Sequence, residues 1–245
     1  MHFVLRLLDA LLDVFIVLFV LAAAGLGAYA LWDNQNIYQN ADAAVYAAYR
    51  PAEEEADGED GLAELRAVNP DVVAWLQVDD TQINYPVVQG EDNNRYVNTD
   101  AAGDYSLSGS IFLDYRNKAD FSSRNSILYG HHMAKGTMFG QLDEYGDRSF
   151  FDAHRTGSLY YNNAWHGITF FTFLQADAYN TMLYDPSLTQ SGSIEAFCDY
   201  LRSHAQYFEE PDLFPEARFI TLSTCRSNGA ANGRYLLIGI LHETT

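Results

Sequence analysis

At 245 residues the chain has room for one substantial core and a small appendage rather than several domains. Its 33 Asp and Glu against 14 Lys and Arg leave a formal charge of -19, which repels polyanions at long range and argues against nucleic acid as a partner. Aromatic residues make up 14% and charged residues only 19%, so the chain has ample apolar surface to bury and does not belong to the disordered class.

The first element in chain order is the uncharged run Val14 to Trp32, VFIVLFVLAAAGLGAYALW. It is close to the roughly 20 residues that a helix needs to cross a bilayer. Ala28-Tyr29-Ala30 would suit a cleaved leader, but the run exceeds the apolar core of about 7 to 15 residues usual in signal peptides, so a retained anchor is expected. Charge sets the orientation weakly: Arg6 stands before the span beside Asp9 and Asp13, and Arg50 is the first basic residue after it.

Residues 33–61 read as a stalk and linker: an alanine-rich polar stretch to Arg50, then the acidic tract Pro51 to Asp60. Apolar periodicity returns near Leu62, which places the expected boundaries at 1–32 for stub and anchor, 33–61 for the linker and 62–245 for the folded domain.

From Ile83 the chain carries short β-rich runs separated by turn residues: INYPVV, GSIFLD, NSILYG, GSLYYN, WHGITFFTFLQA, RFITLSTC and RYLLIGIL. Asn162-Asn163 suits a hairpin turn. Strands at this spacing predict a mainly β fold, an antiparallel barrel or sandwich. Ser193 to Phe208 departs from that pattern: Ile194, Phe197, Cys198, Leu201 and Phe208 share one helical face, with Ser193 as the N-cap, so a helix should pack on the barrel and bury Cys198.

Cys225 has a different setting. It ends the strand-like run from Phe219, with Ile220 and Leu222 on one face and Thr221, Ser223 and Cys225 on the other. The loop from Arg226 to Gly233 then leads to Arg234, and a hairpin return would bring guanidinium and thiol together. A cation beside a thiol favours the thiolate or stabilises an oxyanion. A proton-transfer group is supplied where the strand Asn125 to Tyr129 runs out through Gly130 into His131 and His132. Adjacent histidines on a strand point apart and no third ligand stands at a recognisable interval, so a metal site is not expected. Taken alone, these parts are compatible with thiol catalysis and equally with a packed cysteine in a binding domain.

Thr221-Leu-Ser-Thr-Cys225 resembles the TLxTC signature of sortases, and Asn232-Gly233-Arg234 before an apolar strand looks like the arginine strand of that family. Tyr129-Gly-His131 matches the family's catalytic histidine, which singles out His131 over His132. NPDVVAWLQVDDTQINYPVVQGEDN, GSIFLDYRN and YGHHMAKGTMFGQL are similar to class B members, and the likeness runs from about Leu62 to Leu241.

The resemblance implies a closed eight-stranded β-barrel with peripheral helices behind an N-terminal transmembrane helix. It implies a cysteine transpeptidase with no cofactor, held by one membrane span with its catalytic domain outside the cytoplasm, as on a Gram-positive cell surface. Its partners would be secreted proteins bearing a C-terminal sorting signal, cleaved after Thr, and a peptidoglycan amine; a pilin-polymerising enzyme using a lysine amine is the alternative. Cys225 would be the nucleophile, His131 the proton-transfer group and Arg234 the stabiliser of the reacting carbonyl, with Ser223 and Thr224 as candidates for substrate contact. The third group orienting His131 is left open, and Asp114 reads equally as a structural turn residue. A papain-like hydrolase is disfavoured, because there the cysteine precedes the histidine.

Overall fold

The computed structural model describes residues 2–52, 60–226 and 232–243, in two units, one ending at Asn40 and the other beginning at Ala41. The first unit is a single helix, α1 (His2–Asn40), whose apolar stretch reaches a mean hydropathy of 2.5 and is long and apolar enough to cross a membrane. Its 39 residues exceed the expected span, so helix continues into the polar segment after Trp32.

The second unit is built on nine strands: β1 (Val72–Val78), β2 (Asn84–Val88), β3 (Ile111–Leu113), β4 (Asn125–Tyr129), β5 (Thr156–Tyr161), β6 (Ala164–Asp177), β7 (Tyr207–Phe208), β8 (Arg218–Cys225) and β9 (Gly233–Leu241). Eight of them run in the order β5-β1-β2-β3-β4-β8-β9-β6, and pairing of β6 with β5 closes the ring. The two-residue β7 hangs on β6. Asn162 and Asn163 form the two-residue hairpin between β5 and β6 at φ 49° and 60°, a left-handed conformation that asparagine tolerates.

The barrel is mixed rather than antiparallel, because β2–β3 and β4–β8 are parallel pairs. Parallel neighbours cannot be joined by a tight turn. The long connection after β2 carries the chain back to start β3, and β8 reaches β4 only after β5, β6 and the helix that follows them.

Alternation sorts the side chains into an interior and an outer layer. Leu76, Leu128, Phe170, Phe173, Ile220, Leu222 and Leu237 belong to the interior cluster. A bulge between Phe170 and Thr172 shifts the phase of β6, so that Phe170 and Phe173 share the interior while Phe171 and Leu174 join the outer layer. On that outer side, Ile127, Phe219, Leu236 and Ile238 are covered by Phe197, Cys198 and Leu201 of a helix, Ile194–His204. Burying each of the larger side chains there stabilises the fold by about 1.5–3 kcal/mol. Ser193 caps the helix by accepting from Ala196 N at 3.1 Å.

The helix ends four residues before the expected Phe208. Beyond Phe170 the edge of β6 that faced β5 has no partner in β5, and Tyr207 and Phe208 take that edge as β7 instead of extending the helix.

Residues read as linker lie against the barrel on both sides of 53–59, the part of the acidic tract that falls outside the described residues. Tyr46 is buried, Tyr85 Oη donates to Ala41 O at 2.9 Å, Trp165 Nε1 donates to Ala52 O at 2.8 Å, and Gly61 N donates to Tyr160 Oη at 3.0 Å.

Candidate active site

Three strand ends on the outer face meet at one point. In the antiparallel β8–β9 pair Cys225 stands directly opposite Arg234, which gives the hairpin return the sequence suggests, although 227–231 of its loop lie outside the described residues. Such partners have Cβ atoms about 4.5–5.5 Å apart and project to the same face. In the parallel β4–β8 pair Tyr129 stands opposite Ser223, and His131 and Cys225 each follow two residues later, on the same side of the sheet.

The exit of β4 is tied to β8 by two hydrogen bonds. Gly130 N donates to Ser223 O at 3.2 Å, and Thr224 Oγ1 donates to Gly130 O at 2.8 Å. Gly130 must lack a side chain, since a Cβ there would lie 2.5 Å from Ile111 Cδ1 and 2.8 Å from Phe139 Cδ2. Thr224 is therefore buried and engaged with backbone, while Ser223 is buried with its hydroxyl 2.8 Å from Tyr184 Oη. The two histidines part as expected: His131 turns to the cavity beside Cys225, with Nε2 2.7 Å from Val97 O, and His132 places Nε2 2.7 Å from Asp143 Oδ2.

Cys225, His131 and Arg234 line one open cavity of about 550 Å³ with Asn93, Val97 and Tyr184. Cys225 is exposed and unpaired by disulfide. Burial pushes the Tyr184 phenol up to about 12, against the Ser223 hydrogen bond and the Arg234 charge, which oppose that rise. Arg234 also donates to Gly233 O at 3.0 Å.

The cavity wall is braced by one buried carboxylate. Asp114 accepts from Arg116, from Asn93 Nδ2 at 3.1 Å and from Tyr129 Oη at 2.9 Å. Burial alone would raise its pKa, but the Arg116, Asn93 and Tyr129 hydrogen bonds outweigh that and hold it below the usual carboxylate range. Burial, the Asp114 charge and the hydrogen bond to it push the Tyr129 phenol well up, so Tyr129 remains a neutral donor.

Asn93, Val97 and Tyr184 carried no signal in the sequence. Tyr184 lies in the loop between β6 and the helix, and Asn93 and Val97 lie in the β2–β3 connection, so only the closed fold brings them to the cavity.

Residues 76–241 match the sortase domain family, more than half of the chain. The chain belongs to the class B sortases. Sortase B of Listeria monocytogenes is 31% identical over 201 residues, 82% of this chain and 81% of that one. A solved Streptococcus pyogenes class B sortase involved in pilus biogenesis superimposes with a TM-score of 0.68 at 39% identity, covering 74% of this sortase and 97% of the other. A Staphylococcus aureus sortase B–substrate complex gives 0.69 at 26% identity, covering 76% and 86%. The sortase is thus a cysteine transpeptidase of this family, and its eight-stranded barrel is the family fold.

Proposed function

We propose that the enzyme cleaves a C-terminal sorting signal of secreted proteins after threonine and joins the new carboxyl end to a cell-surface amine, with Cys225, His131 and Arg234 as the reacting groups. The observation that carries this reading is that the three line one open cavity, with Cys225 and Arg234 paired across β8–β9.

Cys225 Sγ attacks the threonine carbonyl, and its proton passes to His131. The Arg234 guanidinium faces the oxygen on which negative charge develops. As the tetrahedral species collapses, the C–N bond breaks, His131 gives its proton to the leaving amine, and a thioester to Cys225 remains. The incoming amine gives a proton to His131 and displaces the thiolate, forming the new amide. The apolar helix α1 serves in this proposal as a membrane anchor, with residues 62–245 as the catalytic domain outside the cytoplasm. Ser223 and Thr224 then shape the cavity wall through Tyr184 and Gly130 and touch substrate little.

For the acceptor, a peptidoglycan amine is the first reading. The 39% identity with the Streptococcus pyogenes enzyme involved in pilus biogenesis favours a second, a lysine amine on a pilin subunit. The test is a competition in which the full chain receives a threonine-containing sorting peptide with a peptidoglycan stem peptide and a lysine-bearing pilin peptide together. Amide product with either supports transpeptidation and its ratio assigns the acceptor; hydrolysis alone, or no cleavage, contradicts the proposal.

A further inference from the structure

Among the described residues, the His131 ring is held by backbone and by no side chain. His131 Nε2 lies 2.7 Å from the backbone carbonyl oxygen of Val97, a hydrogen bond from ring to main chain. A carbonyl can only accept, so Nε2 must carry a hydrogen in both the neutral ring and the imidazolium. We propose that the Val97 carbonyl is the positioning group of His131, that it fixes the neutral ring as the Nε2–H tautomer, and that Nδ1 is the nitrogen that exchanges protons at Cys225. This rests on the assignment of His131 as the proton-transfer group and goes beyond it by naming the atom.

A backbone carbonyl can orient a ring only if its own position is fixed, and this one is held from several directions. Asp92 Oδ1 accepts from Asn94 N at 2.8 Å and from Arg95 N at 3.0 Å, and Val97 N donates to Asn94 O at 3.2 Å, closing a short turn. Tyr96 anchors that turn inward, donating from Oη to Asp71 Oδ2 at 2.8 Å and accepting from Asn69 Nδ2 at 3.0 Å. Asn93 anchors it to the segment just after β3 by donating to Asp114 and accepting from Tyr115 N at 3.0 Å. Asp114 therefore acts on the histidine indirectly, through Asn93 and the turn that presents Val97.

The remaining support is the absence of a side chain. Gly109 has φ +58°, and a Cβ there would lie 2.5 Å from Val97 O and 2.6 Å from Tyr96 O. That is far inside contact distance, with backbone atoms on the other side, so any larger residue must displace the carbonyl. Gly109 is thus a second positioning residue, with only Val97 between it and the ring: it fixes the carbonyl, which fixes the ring.

The experiment uses the full chain in detergent with ¹⁵N-labelled histidine, and the tautomer of the neutral His131 ring is read from its nitrogen shifts and their coupling to the ring protons. The signal is assigned by its loss in His131→Asn. Wild type is expected to show protonated Nε2 and unprotonated Nδ1. Gly109→Ala is expected to mix the tautomers and to lower kcat about 10²-fold with KM unchanged, as for a misplaced reacting group. A wild-type ring protonated at Nδ1, or an even mixture, overturns the proposal, and this reading stands whether or not Gly109→Ala folds. The tautomer is measured without substrate, so a chain with the expected tautomer and no transpeptidation would sink the functional reading alone, whereas turnover with an Nδ1–H ring would sink this inference alone.

Discussion

The two cysteines have opposite surroundings, one inside the apolar layer outside the barrel and one at the open end of β8. Cys198 sits on the helix Ile194–His204 among Phe197, Leu201 and Phe219, where it is 1% exposed and burial pushes its thiol up to about 11 despite the nearby Arg202 charge. Cys225 sits at the end of β8, exposed, opposite Arg234 and in a cavity that His131 also lines. What separates the buried thiol from the proposed nucleophile is whether apolar cover continues over it or gives way to charge and solvent.

The sharpest way to break that contrast is to remove each thiol in turn. Cys225→Ala is expected to lower peptide turnover by about 10⁴-fold or more, whereas Cys198→Ala keeps kcat and costs about 1–2 kcal/mol of stability in a denaturant titration. A thiol reagent should modify Cys225 in the folded protein and reach Cys198 only on unfolding; equal labelling rates would erase the distinction. Next in size, Arg234→Ala is expected to lower kcat about 10²–10³-fold in steady-state assays, as loss of a carbonyl-stabilising donor does, with Arg234→Lys recovering little because a point charge cannot reproduce the planar fork.

The wall of the cavity sets a smaller effect. Asp114→Ala leaves Arg116, Asn93 and Tyr129 without their common acceptor and should cost about 2–3 kcal/mol by denaturant titration. Because the folded pKa of Asp114 is depressed, its contribution is complete above the ordinary value of 3.8 and is lost as pH falls through the folded value. Wild type should therefore lose stability in acid more steeply than Asp114→Ala. Smallest, Thr224→Val removes the hydrogen bond to Gly130 O and should cost about 1 kcal/mol by thermal unfolding.

The legibility of the molecule followed the same divide between local pattern and tertiary placement. Strands β2 to β6, β8 and β9 announced themselves through β-branched and aromatic runs between turn residues, and the Asn162-Asn163 turn through its chemistry. β1 did not, because five of its seven residues are buried and its burial does not alternate. Parallel pairing of β2–β3 and β4–β8 left no local trace, since it depends on where long connections return the chain. In the site, Cys225, His131 and Arg234 could be named from motif and strand phase, while Tyr184 and the Val97 carbonyl, the latter a backbone atom with no residue preference to betray it, could not.

The most direct test of the central claim is the intact mass of the full chain after incubation with a threonine-containing sorting peptide. Transpeptidation through Cys225 predicts an acyl adduct on Cys225 that is absent in Cys225→Ala and discharges to an amide when an amine is added. No adduct with any such peptide, or an adduct that survives Cys225→Ala, would contradict it.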